Sequence, residues 1–347
     1  MKMNDYVSRK LKILSFFSIL MVIFIHMYYA EGDSYIILNK IECIVGQRLC
    51  TIAVPLFFLM SGYLFFLKMP NGVYSIKDKL KKRVRTLLIP YIIANTLSFI
   101  FYLVLNFIAL KIPYIAAVVN FRILDVISAG IWPIIKLVFL DPPIAYQLWF
   151  IRDLMVVMVF SPAIWLLLRY ILSKWGRFVG VILLVALLCY SGNGYIQALL
   201  WFTLGGYFAM HPSFSPDRKY SLWIGCSCLL IMMLLTLAPY DVFWLTFLIP
   251  VFGIPAIWIL FDYMALDRLY NYSYIKDMCS YTFFIYLVHE PLLNIFKKLP
   301  LLFSRSELTL LISYFIIPLV FVFIFCQVGS LFKKFIPRLY SIYTGGR

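Results

Sequence analysis

Long apolar runs, separated by short polar and basic segments, make up most of this chain. A bilayer core is crossed by about 20 mostly apolar residues of helix, so we predict about ten membrane-spanning helices. The composition of residues 191–194 favours a tight turn between the fifth and sixth spans, and the interrupted stretch 111–143 indicates interfacial or re-entrant helices. The predicted spans cover residues 13–30, 44–67, 87–110, 145–170, 178–191, 195–210, 220–239, 242–262, 279–296 and 308–331.

Composition supports the membrane assignment. Hydrophobic residues make up 64% of the 347 residues and charged residues only 13%, whereas soluble domains average about 45–50% apolar. We therefore expect an all-α, polytopic integral membrane protein that forms a single membrane-embedded domain over residues 1–347. The seven cysteines indicate no disulfide framework.

The net charge of +16 does not indicate nucleic-acid binding, because the basic residues lie in short clusters between apolar runs. If the N-terminus is cytoplasmic, 22 of the 31 Lys and Arg residues fall at the cytoplasmic ends of the predicted spans. Basic residues concentrate on the cytoplasmic side of membrane proteins. We therefore predict a multi-pass protein of the cell membrane with both termini in the cytoplasm, although Lys297 and Lys298 do not fit this pattern.

His26 lies near the outer end of the first predicted span. It follows Ile13 by thirteen residues, about 20 Å of helix rise, and an ionisable side chain inside a membrane suggests a functional site. The alternative is a histidine that only hydrogen-bonds a neighbouring helix.

The ninth span carries a second histidine, His289, at a comparable predicted depth and followed directly by Glu290 and Pro291. A carboxylate beside an imidazole can orient or charge it. The alternative is a helix break whose polar groups face water.

The fourth span contains Trp149, Arg152 and Asp153 within the sequence LWFIRD. Charged groups in a membrane helix usually face the bundle interior or a watery cavity, which predicts an acceptor-side cavity open to the outer face. A salt bridge that only fixes helix packing is the alternative, and Trp149 suits an interfacial anchor in either case.

A strongly basic segment, residues 77–85, precedes the third span and includes Lys82, Arg83 and Arg85. Guanidinium groups make paired contacts to phosphates, so the segment is a candidate clamp for a phosphorylated donor from the cytosol. Orientation of the chain and attraction to anionic lipid are the alternative explanation.

Six motifs occur in a characteristic order: a histidine late in the first span, then VPLFFLMSGY, KKRVRTLLIPY, LWFIRDL, LWFTLGGYF and SYTFFIYLVHEPL. Together they resemble the acyltransferase 3 family of integral membrane acyltransferases over residues 9–331. The resemblance implies ten spans and transfer of an acyl group, in the simplest case acetyl, from cytoplasmic acyl-CoA. The implied acceptor is often a hydroxyl of a cell-surface or lipid-linked glycan.

By the same resemblance, His26 is the histidine required for transfer, and Lys82, Arg83 and Arg85 match the basic motif before the third span. Ser15 stands where the family usually has a basic residue, eleven positions before the histidine. Lys12 lies near the same helix face and can extend toward that position. Acetyl-CoA is then a co-substrate, and we expect no bound cofactor and no metal.

The resemblance suggests two mechanisms. His26 either removes a proton from the acceptor hydroxyl, a role suited to an ordinary imidazole pKa near 6.5, or carries the acyl group transiently. A transporter or flippase of glycan intermediates, and a non-catalytic member of the family, are the alternatives in function.

Overall fold

In the computed structural model, every regular element of the described residues is a helix. The structure describes residues 5–29, 35–67, 74–111, 123–140, 143–171, 194–211, 219–238 and 245–346. The predicted fifth span, 178–191, and most of the predicted turn at 191–194 lie outside these ranges.

The first half of the chain contains nine α-helices, several of them joined by single turns of π or 3-10 helix. They are α1 Asp5–His26, α2 Ile36–Glu42, α3 Ala53–Phe66, α4 Tyr74–Arg83, α5 Ile89–Ala109, α6 Ile123–Ser128, α7 Ile131–Ile135, α8 Trp149–Val159 and α9 Ser161–Ile171, as far as the described residues go.

The described part of the second half contains seven more α-helices. They are α10 Gly194–Met210, α11 Leu222–Leu237, α12 Leu245–Tyr263, α13 Ser273–Ser280, α14 Thr282–Lys298, α15 Glu307–Phe335 and α16 Pro337–Tyr343.

Three helical stretches among the described residues are long and apolar enough to cross a membrane: Ile36–Phe66, Ile76–Ala109 and Glu307–Phe335. A fourth is obtained if Tyr146–Val159 and Ser161–Ile171, which are bent by 65°, count as one span. The all-helical class is confirmed, whereas about ten spans is not. Shorter apolar helices, such as Leu222–Leu237, occupy several of the other predicted positions.

Irregular turns also interrupt some of the predicted spans. The predicted second span is a composite, with a π-helical turn at Cys43–Arg48 and a 3-10 turn at Leu49–Ile52 before α3. The predicted fourth span bends between α8 and α9, directly before Pro162. A proline has no amide hydrogen and disfavours helical geometry in the residue before it, so a continuous apolar run need not be a continuous helix.

Helix α1 runs through the middle of the packed helices and contacts α3, α13, α14 and α15. Its apolar side chains Ile19 and Ile23 are completely buried. Near its N-terminal end, Lys10 is also completely buried. The Lys10 ammonium donates to Asp262 Oδ1 at 2.6 Å and to the Trp258 carbonyl at 2.9 Å, so this costly charge is fully paired.

Helices α3 and α10 cross in direct backbone contact. A Cβ atom placed on Gly62 would lie 2.0 Å from the Phe202 carbonyl oxygen, and one on Gly205 would lie 2.0 Å from that of Leu59. Small residues permit such close approach of membrane helices. The two glycines therefore fix the spacing of the helices that carry Phe57 and Trp201.

Candidate functional site

His26 is the last residue of α1, and its imidazole is half-buried. Its Nδ1 atom lies 2.5 Å from the Tyr146 hydroxyl oxygen. Lys297 donates to the His26 carbonyl oxygen at 3.2 Å, which satisfies one of the carbonyls left without a partner at a helix C-terminus. The imidazole is thus oriented by its own side-chain bond and by the end of its helix.

His289 lies next to His26, with 5.4 Å between the ring centroids and 36° between the ring planes. Its Nδ1 lies 2.8 Å from the Tyr286 carbonyl oxygen. A carbonyl only accepts, so Nδ1 carries the hydrogen and Nε2 presents a lone pair. Nε2 is buried and has no hydrogen-bond partner among the described residues. The two histidines, for which the sequence predicts a comparable depth, thus lie side by side in the structure.

The helix that carries His289 is broken at the next residue. Glu290, directly before Pro291, has non-helical backbone angles (φ −108°, ψ 136°). A proline favours an extended backbone in the residue before it. The Glu290 carbonyl accepts a hydrogen bond from Gln147 Nε2 at 2.9 Å, and its carboxylate accepts one from Asn294 at 2.5 Å. Glu290 is buried, so its side chain does not face water as the alternative prediction required.

His26 opens into a cavity of about 250 Å³, which we call the outer cavity. Its polar lining includes Gln147, whose Oε1 atom is buried and lacks a hydrogen-bond partner in the described part of the chain. Trp149 and Trp201 contribute aromatic walls. The site therefore offers one ring nitrogen of His26, Nε2, and one free amide oxygen to a bound molecule.

A larger cavity, of about 560 Å³, lies toward the N-terminal end of α1, and we call it the cytoplasmic cavity after the orientation predicted from the sequence. Lys12, Ser15 and Arg83 all line it. The Lys12 ammonium lies 3.0 Å from the Tyr270 hydroxyl, and Ser15 donates to the Leu11 carbonyl at 2.8 Å. The guanidinium group of Arg83 has no hydrogen-bond or ion-pair partner among the described residues. Lys12 therefore supplies a positive charge to this cavity, whereas Ser15 lines it with an uncharged side chain.

Comparison with known families decides the class of this protein. The sequence profile of the acyltransferase 3 family, described as an acyltransferase domain, matches residues 10–329. The chain belongs to this family. It is a membrane acyltransferase, an enzyme that transfers acyl groups.

One characterised relative extends the comparison. This acyltransferase is 24% identical, over 99% of its own length and 94% of the relative's, to the succinoglycan biosynthesis protein ExoH of Rhizobium meliloti (strain 1021). No solved structure matches the chain significantly.

Not all of the predicted site residues of the acyltransferase come together. Lys82 and Arg85 are exposed and do not line the cytoplasmic cavity, whereas Arg83 does. Lys82 and Arg85 are three positions apart and share one helix face, whereas Arg83 lies on a different face. The predicted donor clamp is reduced to Arg83 and Lys12 at the cavity itself.

The predicted acceptor-side residues also separate. Trp149 lines the outer cavity, but Arg152 and Asp153 line neither cavity described above. They pair with each other at 2.9 Å, and Arg152 also donates to the Leu140 carbonyl at 2.8 Å. This arrangement agrees with the packing alternative, although the pair joins sequence neighbours rather than two helices.

Several residues of the site were missed in the sequence. Tyr146, which contacts His26, and Tyr286, which donates to the Gln147 carbonyl at 2.7 Å, resemble ordinary interfacial or packing tyrosines. Phe57 and Phe150 lie within apolar runs with no distinguishing signal. Gln147, which directly precedes LWF, is the polar residue that marks this position in the sequence.

Proposed function

We propose that this acyltransferase moves an acyl group, in the simplest case acetyl, from cytoplasmic acyl-CoA to a hydroxyl of a cell-surface or lipid-linked glycan. One observation carries the proposal. A cavity with two basic side chains lies at one end of α1, a cavity containing His26 lies at the other, and both are lined by Phe57, Phe150 and Tyr286. The relative's printed role in succinoglycan biosynthesis supports a glycan acceptor.

The cytoplasmic cavity suits the donor. Arg83 and Lys12 provide positive charge at its rim, which favours the phosphates of coenzyme A. From Lys12 to His26 there are fourteen residues of α1, about 21 Å of helix rise. The extended arm of the coenzyme therefore follows α1 and places the thioester near the outer cavity.

The outer cavity suits the acceptor. Gln147 Oε1, a buried acceptor with no hydrogen-bond partner among the described residues, can accept from a sugar hydroxyl once the side chain rotates toward the cavity. The aromatic walls of Trp149 and Trp201 suit the apolar faces of sugar rings. His26 Nε2 is the ring nitrogen left free by the bond between Nδ1 and Tyr146. An Nδ1 hydrogen donated to the Tyr146 oxygen leaves the lone pair on Nε2, as a base requires.

Direct transfer is a displacement at the thioester carbonyl carbon. The acceptor oxygen attacks the thioester carbonyl carbon while His26 Nε2 takes the hydroxyl proton. The carbon–sulfur bond breaks, and the leaving thiolate receives that proton, giving the ester and free coenzyme A. In the relayed form, Nε2 attacks the carbonyl carbon, the carbon–sulfur bond breaks, and coenzyme A leaves as the thiolate. The acceptor oxygen then attacks the acyl-imidazole, the bond to Nε2 breaks, and the hydroxyl proton goes to the thiolate, giving the ester and free coenzyme A.

The proposal also includes an orientation, with both termini in the cytoplasm of a cell membrane. The basic-residue distribution supports it, and so does the position of Lys12 and Arg83 at the opposite end of α1 from His26. Membrane lipids are then the natural surroundings of the exposed apolar helix faces.

The test uses sealed membrane vesicles of known orientation and radiolabelled acetyl-CoA, which does not cross a bilayer. Inside-out vesicles containing the protein should incorporate label into glycan, releasable by mild alkali, and right-side-out vesicles should not. If cells with and without the protein export equal amounts of glycan and no labelled ester is formed, the proposal is contradicted. Reduced glycan export in cells lacking the protein, again with no ester, would favour the transporter alternative.

A further inference from the structure

Three aromatic side chains lie between the two cavities. Phe57, Phe150 and Tyr286 line both the cytoplasmic cavity and the outer cavity. The Phe57 and Phe150 ring centroids are 5.7 Å apart, and those of Phe150 and Tyr286 are 6.0 Å apart at an interplanar angle of 77°. At these distances the rings are in ordinary aromatic contact, so they close the space between the cavities.

The three rings differ in their freedom to move. Tyr286 is buried and its hydroxyl donates to the Gln147 carbonyl at 2.7 Å, so it is a fixed wall. Phe57 and Phe150 are half-buried, face cavity on both sides, and have no polar atom to hold them. The passage between the cavities therefore depends on the size and rotation of the two phenylalanines.

If acyl-CoA enters from the cytoplasm, its thioester must pass these rings to reach His26. We propose that Phe57 and Phe150 form an acyl-size filter, which admits short acyl groups to the outer cavity and excludes longer ones. This inference rests on the proposed function for its donor class. The filter acts on the acyl chain alone, because the phosphates remain at Arg83 in the cytoplasmic cavity.

The first experiment measures transfer from acetyl-, butyryl-, hexanoyl- and octanoyl-CoA to the glycan fraction of inside-out vesicles. The wild-type rate should fall with chain length. In Phe57→Ala and Phe150→Ala, the hexanoyl-to-acetyl rate ratio should rise at least about tenfold, because one excluded methylene is worth about 10–200-fold in discrimination. Phe57→Leu and Phe150→Leu give smaller changes of volume if the alanine variants fail to accumulate.

Phe283→Ala is the matched control. Phe283 is also a half-buried phenylalanine and is stacked on Tyr286 at 6.2 Å, but it lines only the cytoplasmic cavity. Removing the Phe283 ring enlarges the cytoplasmic cavity without opening the space between the two cavities. The hexanoyl-to-acetyl rate ratio of Phe283→Ala should therefore equal that of the wild type. A ratio raised equally by all three alanine substitutions would overturn the filter.

A second experiment does not depend on catalysis. The bromine of 6-bromohexanoyl-CoA quenches tryptophan fluorescence only at short range, and Trp149 and Trp201 both line the outer cavity. Quenching that depends on these two tryptophans should be absent in the wild type and in Phe283→Ala, and present in Phe57→Ala and Phe150→Ala. Trp149→Phe and Trp201→Phe identify their share of the signal.

Glycan labelling and tryptophan quenching test the proposed function and the size filter separately. Glycan labelling that is absent with every donor, together with quenching only in the Phe57 and Phe150 variants, would reject the proposed function and retain the size filter. Normal labelling with unchanged chain-length ratios and equal quenching in all proteins would reject the filter and retain the proposed function.

Discussion

The two cavities of this acyltransferase differ in size and in the kind of polar group that they contain. The cytoplasmic cavity has about 560 Å³ and two cationic side chains, Lys12 and Arg83. The outer cavity has about 250 Å³, and its polar groups are an imidazole, amides and hydroxyls. The cationic side chains thus line the cavity at one end of α1, and uncharged polar groups line the cavity at the other end. In the proposed function, this difference separates binding of the donor from the transfer step.

The largest effect is expected at His26. His26→Ala and His26→Gln should lower acyl transfer at least about 10²-fold, because positioned acid–base catalysis is worth about 10²–10⁴-fold. Labelled glycan ester in inside-out vesicles measures this, normalised to the amount of inserted protein. Insertion should be unchanged, since removing a polar group from a membrane helix lowers its cost. Near-normal transfer by the glutamine variant would make His26 a packing residue.

Arg83 should affect donor binding rather than chemistry. A charge-assisted hydrogen bond contributes about 1.5–3 kcal/mol, so Arg83→Gln should raise the KM for acetyl-CoA about tenfold or more with kcat nearly unchanged. Initial rates against donor concentration test this.

Arg85→Gln and Lys82→Gln are the matched controls, because both residues are exposed outside the cavity. Equal effects of all three substitutions would mean that the cluster acts as a diffuse positive surface. A loss of inserted protein in all three would instead favour the orientation role of the basic segment.

Gly205→Ala should destabilise the wall of the outer cavity. The added carbon would lie 2.0 Å from the Leu59 carbonyl oxygen, a backbone atom that cannot move alone. Overpacking of this kind typically costs about 1–3 kcal/mol, which should appear as a lower thermal midpoint in detergent. Gly206→Ala is the adjacent control, since its nearest neighbours are the Phe66 and Leu168 side chains. A larger loss at Gly206 would contradict the backbone-contact argument.

The smallest effect is expected at Tyr146. Tyr146→Phe removes the hydroxyl at 2.5 Å from His26 Nδ1, and one hydrogen bond is worth about 0.5–1.5 kcal/mol. We expect transfer to fall about two- to tenfold, with donor KM unchanged. A decrease as large as that of His26→Ala would mean that the tyrosine itself takes part in proton transfer.

The sequence predicts the broad outline of this molecule well, because hydrophobic length and helical propensity are local properties. Among the described residues, it predicts helices in the correct regions and it brings out His26 and His289, which lie side by side. It gives the break at Glu290 and Pro291 only as an alternative, and it does not predict the 65° bend between α8 and α9. Bends depend on how each run meets its neighbours, as at Glu290, whose freed carbonyl is satisfied by Gln147 143 positions earlier in the chain.

The same limit applies to the site. Arg83 faces the cytoplasmic cavity while Lys82 and Arg85 do not, and this depends on the rotation of α4 against α1 and α13. Arg152 and Asp153 are conspicuous in the sequence but satisfy each other. Phe57 and Phe150 are inconspicuous, yet they meet between the cavities. Function here depends on which side of each helix faces inward, and an apolar run carries little information about that.

The contact between Gly62 and Gly205 also sets an order of events during synthesis. The two residues are 143 positions apart, and at about 5–20 residues per second roughly 7–30 s pass between their emergence from the ribosome. Until α10 is inserted, the helix that carries Phe57 has no partner at Gly62. A nascent chain interrupted before residue 205 would therefore hold Phe57 and His26 in the bilayer without the wall that α10 supplies to the outer cavity.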